Sequence, residues 1–144
     1  MSEANKAIVR EIQEAWTEGR LDDLDEYFAP EFDNSTSKVP GVPEGLAGAK
    51  MAFAGTIKSF PDRKVEILDM IAEGDKVFMR NRVTGSNKGG AAFVGAPEAD
   101  GKPFAIESWS VYRFKDGKVV EHWGLNDAYG LAMQLGALKP PARE

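Results

Sequence analysis

Two carboxylates in the C-terminal third of the chain are the residues best suited to acid–base chemistry. The stretch "EHWGLNDAYGLAMQLG", residues 121–136, spaces its apolar residues first like a strand and then like a helix, and Asp127 lies at the change. A carboxylate in water-poor surroundings has a raised pKa, which makes it a better base near neutral pH. Asp127 is therefore a candidate general acid and base. A residue that precedes a helix is equally a candidate for a simple helix cap.

The strand that leads to Asp127 and the strand before it decide which side chains accompany this carboxylate. The sequence "KDG", residues 115–117, predicts a three-residue turn that pairs Phe114 with Lys118. This register puts the odd-numbered residues of both strands on one face. A two-residue Asp-Gly turn would shift the pairing by one, so both registers remain open.

The odd-numbered face is richer in large apolar side chains, and we predict that it faces inward. Trp109 and Trp123 on this face could form an apolar wall and stack on a flat ligand. Glu107 and Asp127 share the face and have no obvious cation, and burying an unpaired charge is costly in an ordinary core. The pattern therefore predicts an apolar pocket with a polar end. His122, on the even-numbered face, is predicted to lie at the surface or at an interface.

The composition disfavours several classes of protein. The chain has 144 residues, the length of one domain, and its lack of cysteine excludes disulfides and thiolate metal sites. A formal net charge of −5, with both signs mixed, disfavours nucleic acid, whose binders need a basic patch. No apolar run approaches the ~18 residues of a membrane span. The charged, amphipathic N-terminus is unlike a signal peptide. We therefore expect a cytoplasmic protein without nucleic-acid or membrane partners.

The N-terminal half of the chain has the apolar spacing of helices. Residues 7–16 follow a helical period, and "LDDLDEYF" predicts a second short helix that Pro30 ends. Residues 31–44 have the polar, Pro- and Gly-rich composition of a loop. A third helix is predicted over residues 45–60.

Near residue 63 the apolar period changes from 3.6 to 2, which indicates strands. Two hairpins follow, separated by a long Gly-rich connection. The order predicts one α+β domain, residues 1–144, in which three N-terminal helices cover a curved, mostly antiparallel sheet of four or more strands. The longest strands are expected within residues 103–127, and the tail 137–144 is expected to be loose.

Two segments resemble a known family. They are "SFPDRKVEILDMIAEGDKVFMRNRVTGSNKG" and "YRFKDGKVVEHWGLNDAYGLAMQLG", of which "FPD", "AEGD", "DGKVVEHW" and "QLG" are the most telling parts. Both are similar to the SnoaL-like polyketide cyclases, also called ester cyclases. The resemblance implies the cone-shaped α+β barrel of the NTF2-like superfamily, named after nuclear transport factor 2. It also implies a homodimer that forms through the outer face of the sheet, which the predicted register makes the even-numbered face.

The resemblance further implies an activity and its residues. Characterised members close a ring in an aromatic polyketide ester by intramolecular aldol condensation, without cofactor or metal. An aspartate on the last strand is their proposed acid and base, and Asp127 matches it. Relatives usually have histidine at two positions that correspond here to Asn87 and to the stretch 34–36. Asn87 and Asn34 can form hydrogen bonds but cannot carry a proton at neutral pH, so they are predicted to bind substrate, as is Glu107.

Three functions remain open on the sequence. The first is a cofactor-free enzyme that acts on a hydrophobic carbonyl compound with Asp127 as acid and base. The second is a non-catalytic protein that binds a small hydrophobic, aromatic ligand. The third is an isomerase or epoxide hydrolase in the same pocket, although an epoxide hydrolase would need an arginine beside its carboxylates. The retained aspartate favours the first function and the missing histidines favour the second.

Overall fold

The described part of the chain forms three α-helices and one five-stranded sheet. The computed structural model describes residues 2–34 and 40–142. In chain order, the helices and strands are α1 (Ser2–Glu18), β1 (Phe28–Asn34), α2 (Gly45–Ser59), β2 (Lys64–Glu73), β3 (Lys76–Ser86), β4 (Pro103–Lys115), β5 (Lys118–Asn126) and α3 (Ala128–Gln134). Two short 3-10 helices lie at Leu21–Glu26 and Ala92–Val94. No described helix is long and apolar enough to cross a membrane.

The sheet confirms the predicted α+β class. Its strands lie in the order β1-β5-β4-β3-β2, and every pair is antiparallel except β1 with β5, which is parallel. The sheet is curved but not closed, and β1 and β2 are its edges. The longest strand is β4 with 13 residues, as predicted, but β5 with 9 residues is shorter than β3 with 11.

The segment after α1 departs from the sequence prediction. The second helix is only the 3-10 helix Leu21–Glu26, and Phe28–Asn34, predicted to be a helix end and a loop, forms β1. Pro30 caused the error, since proline usually ends a regular element. An edge strand tolerates proline because the N–H that proline lacks need not find a partner. Residues 35–39 of the predicted loop lie outside the described part of the chain.

A buried arginine fixes the end of α1 against the sheet. Val9, Ile12 and Ala15 form the buried face of this helix. Arg63, which immediately precedes β2, is itself buried and donates hydrogen bonds to the carbonyl oxygens of Trp16 and, at 2.8 Å, Thr17. A cation is favourable there because the C-terminal end of a helix carries partial negative charge.

The hairpin of β4 and β5 has a different turn from the predicted one. Asp116 and Gly117, with φ of 52° and 77°, form a two-residue turn in which Lys115 pairs with Lys118. The register then shifts between Phe114 and Arg113, so that Arg113 pairs with Glu121. This irregularity returns odd-numbered residues of β4 to odd-numbered partners on β5. The predicted parity is therefore right beyond the shift, although the predicted turn is wrong.

The prediction that the odd-numbered face of this hairpin faces inward is wrong. Even-numbered residues of β4, among them Ile106, Ser110 and Tyr112, are buried under the helices. Trp109 and Leu125, on the odd-numbered face, are 50% and 76% exposed. Apolar bulk was a poor guide because the inner face borders a cavity, which small and polar side chains can line without filling it.

The tail is attached at its start. The N–H groups of Ala137 and Leu138 donate to the carbonyl oxygen of Ala132 at 2.8 and 3.3 Å. These two bonds attach residues 137 and 138 to α3, and residues 143–144 lie outside the described part.

Candidate functional site

A cavity of about 390 Å³ lies between α1, α2 and the inner face of the sheet. Much of its wall is apolar and includes Trp16 of α1, Phe53 of α2 and Phe104 of β4. Asn, Gln, Ser, Thr, Tyr and His side chains make up the polar part of the wall. No Asp, Glu, Lys or Arg of the described chain lines the cavity. A charged ligand would therefore lack a counter-ion there, and burying an unpaired charge is unfavourable.

His122 is the titratable group of greatest interest in the wall. It lies on β5, directly opposite Tyr112 of β4, and the centroids of the two rings are 4.7 Å apart. Its Nδ1 is 3.4 Å from Oδ1 of Asn34, which β1 brings alongside β5. The surrounding protein withdraws the ring from water, which lowers the pKa of His122 to about 4. The imidazole is therefore neutral at pH 7.

The contact with Asn34 favours one form of this imidazole. An N–H at Nδ1 can donate to the amide oxygen of Asn34, which leaves the lone pair of Nε2 available. A Cβ atom added at Gly124 would lie 3.3 Å from Nε2 of His122 and 3.5 Å from Oγ of Ser110. The missing side chain at Gly124 therefore keeps this edge of the ring open to the cavity.

Tyr112 supplies a hydroxyl group beside His122. Nε2 of Gln13, on α1, donates to the Tyr112 hydroxyl oxygen at 3.1 Å. Burial raises the pKa of Tyr112 to about 12, so the phenol stays protonated at neutral pH. The sequence analysis missed both residues because it placed the even-numbered face outside. The alternation of serines with Trp109 in "SWSVY" was an available signal of a small, polar inner face.

Asp127 lies outside the cavity wall, contrary to the prediction. Its side chain is exposed and caps α3, where Oδ1 accepts a hydrogen bond from the Gly130 N–H at 2.8 Å. A Cβ at Gly130 would come within 2.2 Å of the carboxylate, so the glycine is what lets the cap approach so closely. The observed geometry is that of a helix cap. A catalytic base must reach the proton that it removes, and Asp127 does not border the cavity.

The other residues of the predicted pocket wall lie on the outer face of the sheet. Trp109 packs edge-on against Phe78 with ring centroids 5.9 Å apart, and Trp123 is not among the residues that line the cavity. Glu107 has a cation after all, because it forms an ion pair with Arg80 on the adjacent strand. The predicted positions of these residues are wrong because the odd-numbered face of the hairpin was expected to face inward.

The two asparagines that were predicted to bind substrate lie in different parts of the structure. Asn34 lines the cavity beside His122. Asn87 is fully buried elsewhere and holds the Gly-rich connection, since its side-chain amide donates to the carbonyl oxygens of Ala96 and Glu98 at 3.1 and 3.0 Å. Its predicted place in the pocket is wrong, and its observed contacts are those of a loop-fixing residue.

Comparison with known proteins identifies the family. A family model described as SnoaL-like polyketide cyclase matches residues 6–135. Because this family model matches most of the chain, the chain belongs to the SnoaL-like polyketide cyclase family. Its sheet is open and curved, with a cavity under the helices. The fold is the NTF2-like α+β fold of its structural neighbours.

Several solved structures are similar over nearly the whole chain. TsrD from Streptomyces laurentii is 28% identical, with a TM-score of 0.84, covering 96% of this chain and 98% of its own. AclR from Streptomyces galilaeus, a candidate hydroxylase, is 27% identical, with a TM-score of 0.85 and coverages of 99% and 91%. A candidate polyketide cyclase from Acidithiobacillus ferrooxidans is 30% identical, with a TM-score of 0.78 and coverages of 94% and 96%. No curated protein matches the chain.

Proposed function

We propose that the cavity binds an uncharged, largely apolar carbonyl compound and catalyses proton transfer of the aldol type, with His122 in the role predicted for Asp127. The observation that carries this proposal is an imidazole whose Nε2 edge borders a cavity that no charged side chain of the described residues lines. The family supports the reaction type, since the matching model is that of polyketide cyclases.

The chemistry requires few groups. Nε2 of His122 takes a proton from the carbon next to a carbonyl, so a C–H bond breaks and an N–H bond forms. The enolate that results attacks a second carbonyl of the same molecule, which forms the C–C bond and leaves an alkoxide. The imidazolium returns its proton to that alkoxide. The hydroxyl groups of Ser110 and Tyr112, on the same wall, can donate to the developing negative charge.

The lowered pKa of His122 shapes this reaction. The imidazole is in its basic form at any pH well above 4, so no proton must leave before the reaction begins. The imidazolium formed during turnover is more acidic than an ordinary imidazolium and returns its proton readily. Its attraction to the enolate, in surroundings of low dielectric, offsets part of the cost of creating both charges.

Exchange of hydrogen for deuterium in a simple ketone tests the proposal. We expect the protein to accelerate exchange at the carbons next to the carbonyl of 2-tetralone in D2O, followed by NMR. His122→Gln keeps hydrogen-bonding capacity but cannot take a proton, so the acceleration should fall by about 100-fold or more. Asp127→Asn is the matched control and should retain the wild-type rate. Full activity in His122→Gln, or its loss in Asp127→Asn, would reject this assignment.

A non-catalytic binding function is the second candidate. Two features favour it: no carboxylate is among the described residues that line the cavity, and His122, with its pKa lowered to about 4, is a weak base. Binding of 2-tetralone without any acceleration of exchange would support this function over catalysis. Epoxide hydrolysis is not favoured, because Arg80 with its partners Asp69 and Glu107 lies on the outer face.

We also propose that two copies of the chain associate through the outer face of the sheet. The even-numbered face that the sequence suggested lines the cavity, so the candidate surface is the odd-numbered face with Trp109 and Leu125. Arg80 on this face is paired with Asp69 at 2.8 Å and with Glu107. Arg80 neutralises one of these two carboxylates, so each copy keeps a net charge of −1 in this cluster, which reduces but does not abolish repulsion between identical faces.

A further inference from the structure

A buried polar atom in the cavity wall, the side-chain oxygen of Asn81, is left without a hydrogen-bond partner among the described residues. Asn81 of β3 is 3% exposed and lines the cavity. Its Oδ1 is buried and has no hydrogen-bond partner among the described residues. Leaving a buried amide oxygen unpaired is costly, and native proteins rarely do so without a reason.

Asn81 belongs to a row of polar side chains that crosses the sheet. It pairs with Ser108 on β4, and Ser108 pairs with Asn126 on β5. All three residues line the cavity. The row is therefore part of the same wall as His122, and it forms a second polar region of that wall.

The two polar regions are separated along the strands. Ser108 and Tyr112 are four positions apart on β4, which corresponds to roughly 13 Å of strand. Ser110 and Gly124 lie between them in the register. A flat ligand of two or more fused rings that reaches His122 at one end can therefore approach Asn81 at the other.

We propose that Asn81 recognises a hydroxyl group of the ligand, at the end of the molecule remote from His122. An O–H is the complement of the unpaired amide oxygen, whereas an ether or a bare ring would leave that oxygen buried and unsatisfied. This inference rests on the proposed binding of an uncharged ligand in the cavity. It makes Asn81 a determinant of specificity for hydroxylated over O-methylated or unsubstituted compounds.

Two naphthalenes that differ in one methyl group provide the test. Trp16 lines the cavity, so quenching of tryptophan fluorescence can follow the binding of 2-naphthol and of 2-methoxynaphthalene. We expect the wild type to bind 2-naphthol about tenfold more tightly. Asn81→Leu, which has a similar size and no hydrogen-bonding group, should reduce this ratio to nearly one. Thr84→Val, on the same strand but the opposite face, is the matched control and should keep the wild-type ratio.

A second measurement needs no variant. On 2-naphthol binding to the wild type, the side-chain amide NMR signals of Asn81 should shift, and 2-methoxynaphthalene should leave them nearly unchanged. Equal wild-type affinities, or a ratio that survives in folded Asn81→Leu, would overturn the role of Asn81 while the binding cavity stands. If neither naphthalene binds, the proposed apolar ligand site fails and this inference fails with it.

Discussion

At the residue scale, His122 shows how surroundings decide what a side chain can do. The same residue at the surface would titrate near pH 6.5. Between Tyr112 and Asn34 it is held in its neutral form, with one nitrogen facing an amide oxygen and the other facing the cavity. The fold therefore contains a base whose protonated, charged form is unfavourable in the folded protein.

The lowered pKa of His122 predicts a pH dependence of the free energy of unfolding. Between about pH 6.5 and 4 the unfolded chain binds a proton at His122 and the folded chain does not, because the folded pKa is lowered to about 4. The free energy of unfolding should therefore fall as the pH falls through this window, by roughly 3 kcal/mol for this residue. Above pH 6.5 the residue should contribute no pH dependence.

Denaturant unfolding at several pH values measures the effect. The wild type and His122→Gln share all other titrating groups, including Asp62, whose pKa is lowered by hydrogen bonds from Ser86. The difference between the two free energies of unfolding should change between pH 6.5 and 4 and stay flat above. A constant difference over the whole range would show that His122 is not held neutral by the fold.

At the element scale, α3 begins at a carboxylate that the sequence made a candidate for two roles. Asp127 caps this helix through the N–H of Gly130, with its side chain exposed. The helix has only 7 residues, and Leu131 within it packs against the cavity. The cap thus contributes to the position of one part of the wall without entering it.

Two substitutions separate the cap from the charge. Asp127→Ala should lower the free energy of unfolding by about 1 kcal/mol, because the hydrogen bond to the helix N-terminus is lost. Asp127→Asn should be nearly neutral, since asparagine caps helices about as well as aspartate. Chemical denaturation of both variants measures this difference. An Asn variant that is as unstable as the Ala variant would indicate that the charge, rather than the cap, stabilises this end.

At the scale of the whole molecule, the outer face of the sheet carries large apolar side chains that are exposed in a single copy. Trp109 and Leu125 are strongly exposed there, and Trp123 lies on the same face. Isolated exposed apolar residues are ordinary, but neighbours on adjacent strands form a patch, and patches usually mark interfaces.

The dimer proposal predicts the effect of one charge on assembly. Trp109→Lys should convert a dimer to a monomer in light scattering, because it would bring a charge into the proposed apolar contact. Met51→Lys is the control, since Met51 on α2 is 52% exposed and lies away from the outer face of the sheet. Wild-type protein that remains monomeric at high concentration would disprove the proposal, as would a dimer that Trp109→Lys leaves unchanged.

The sequence was sufficient for the class of fold and insufficient for the site. Periodicity gave the long strands and α1, and the family motifs gave the family. The face of β4 and β5 was missed because Trp109 and Trp123 outweigh Ser108, Ser110 and Gly124 in apolar bulk, which predicts burial only where the interior is filled. Asn81 could not be found, since an unpaired amide oxygen is a property of its three-dimensional neighbours.

The parallel pairing of β1 with β5 has a consequence for how the chain reaches its native state. It joins segments far apart in sequence, as does the bond from Nζ of Lys118 to the Glu26 carbonyl, which spans 92 residues. Contacts of such range form slowly, because the entropy of closing the intervening loop must first be overcome. During synthesis β1 leaves the ribosome before β2, β3 and β4, and β5, its partner in the described sheet, follows after them. Phe28 and Phe32 of β1 can therefore become part of the completed sheet only after β5 has been synthesised.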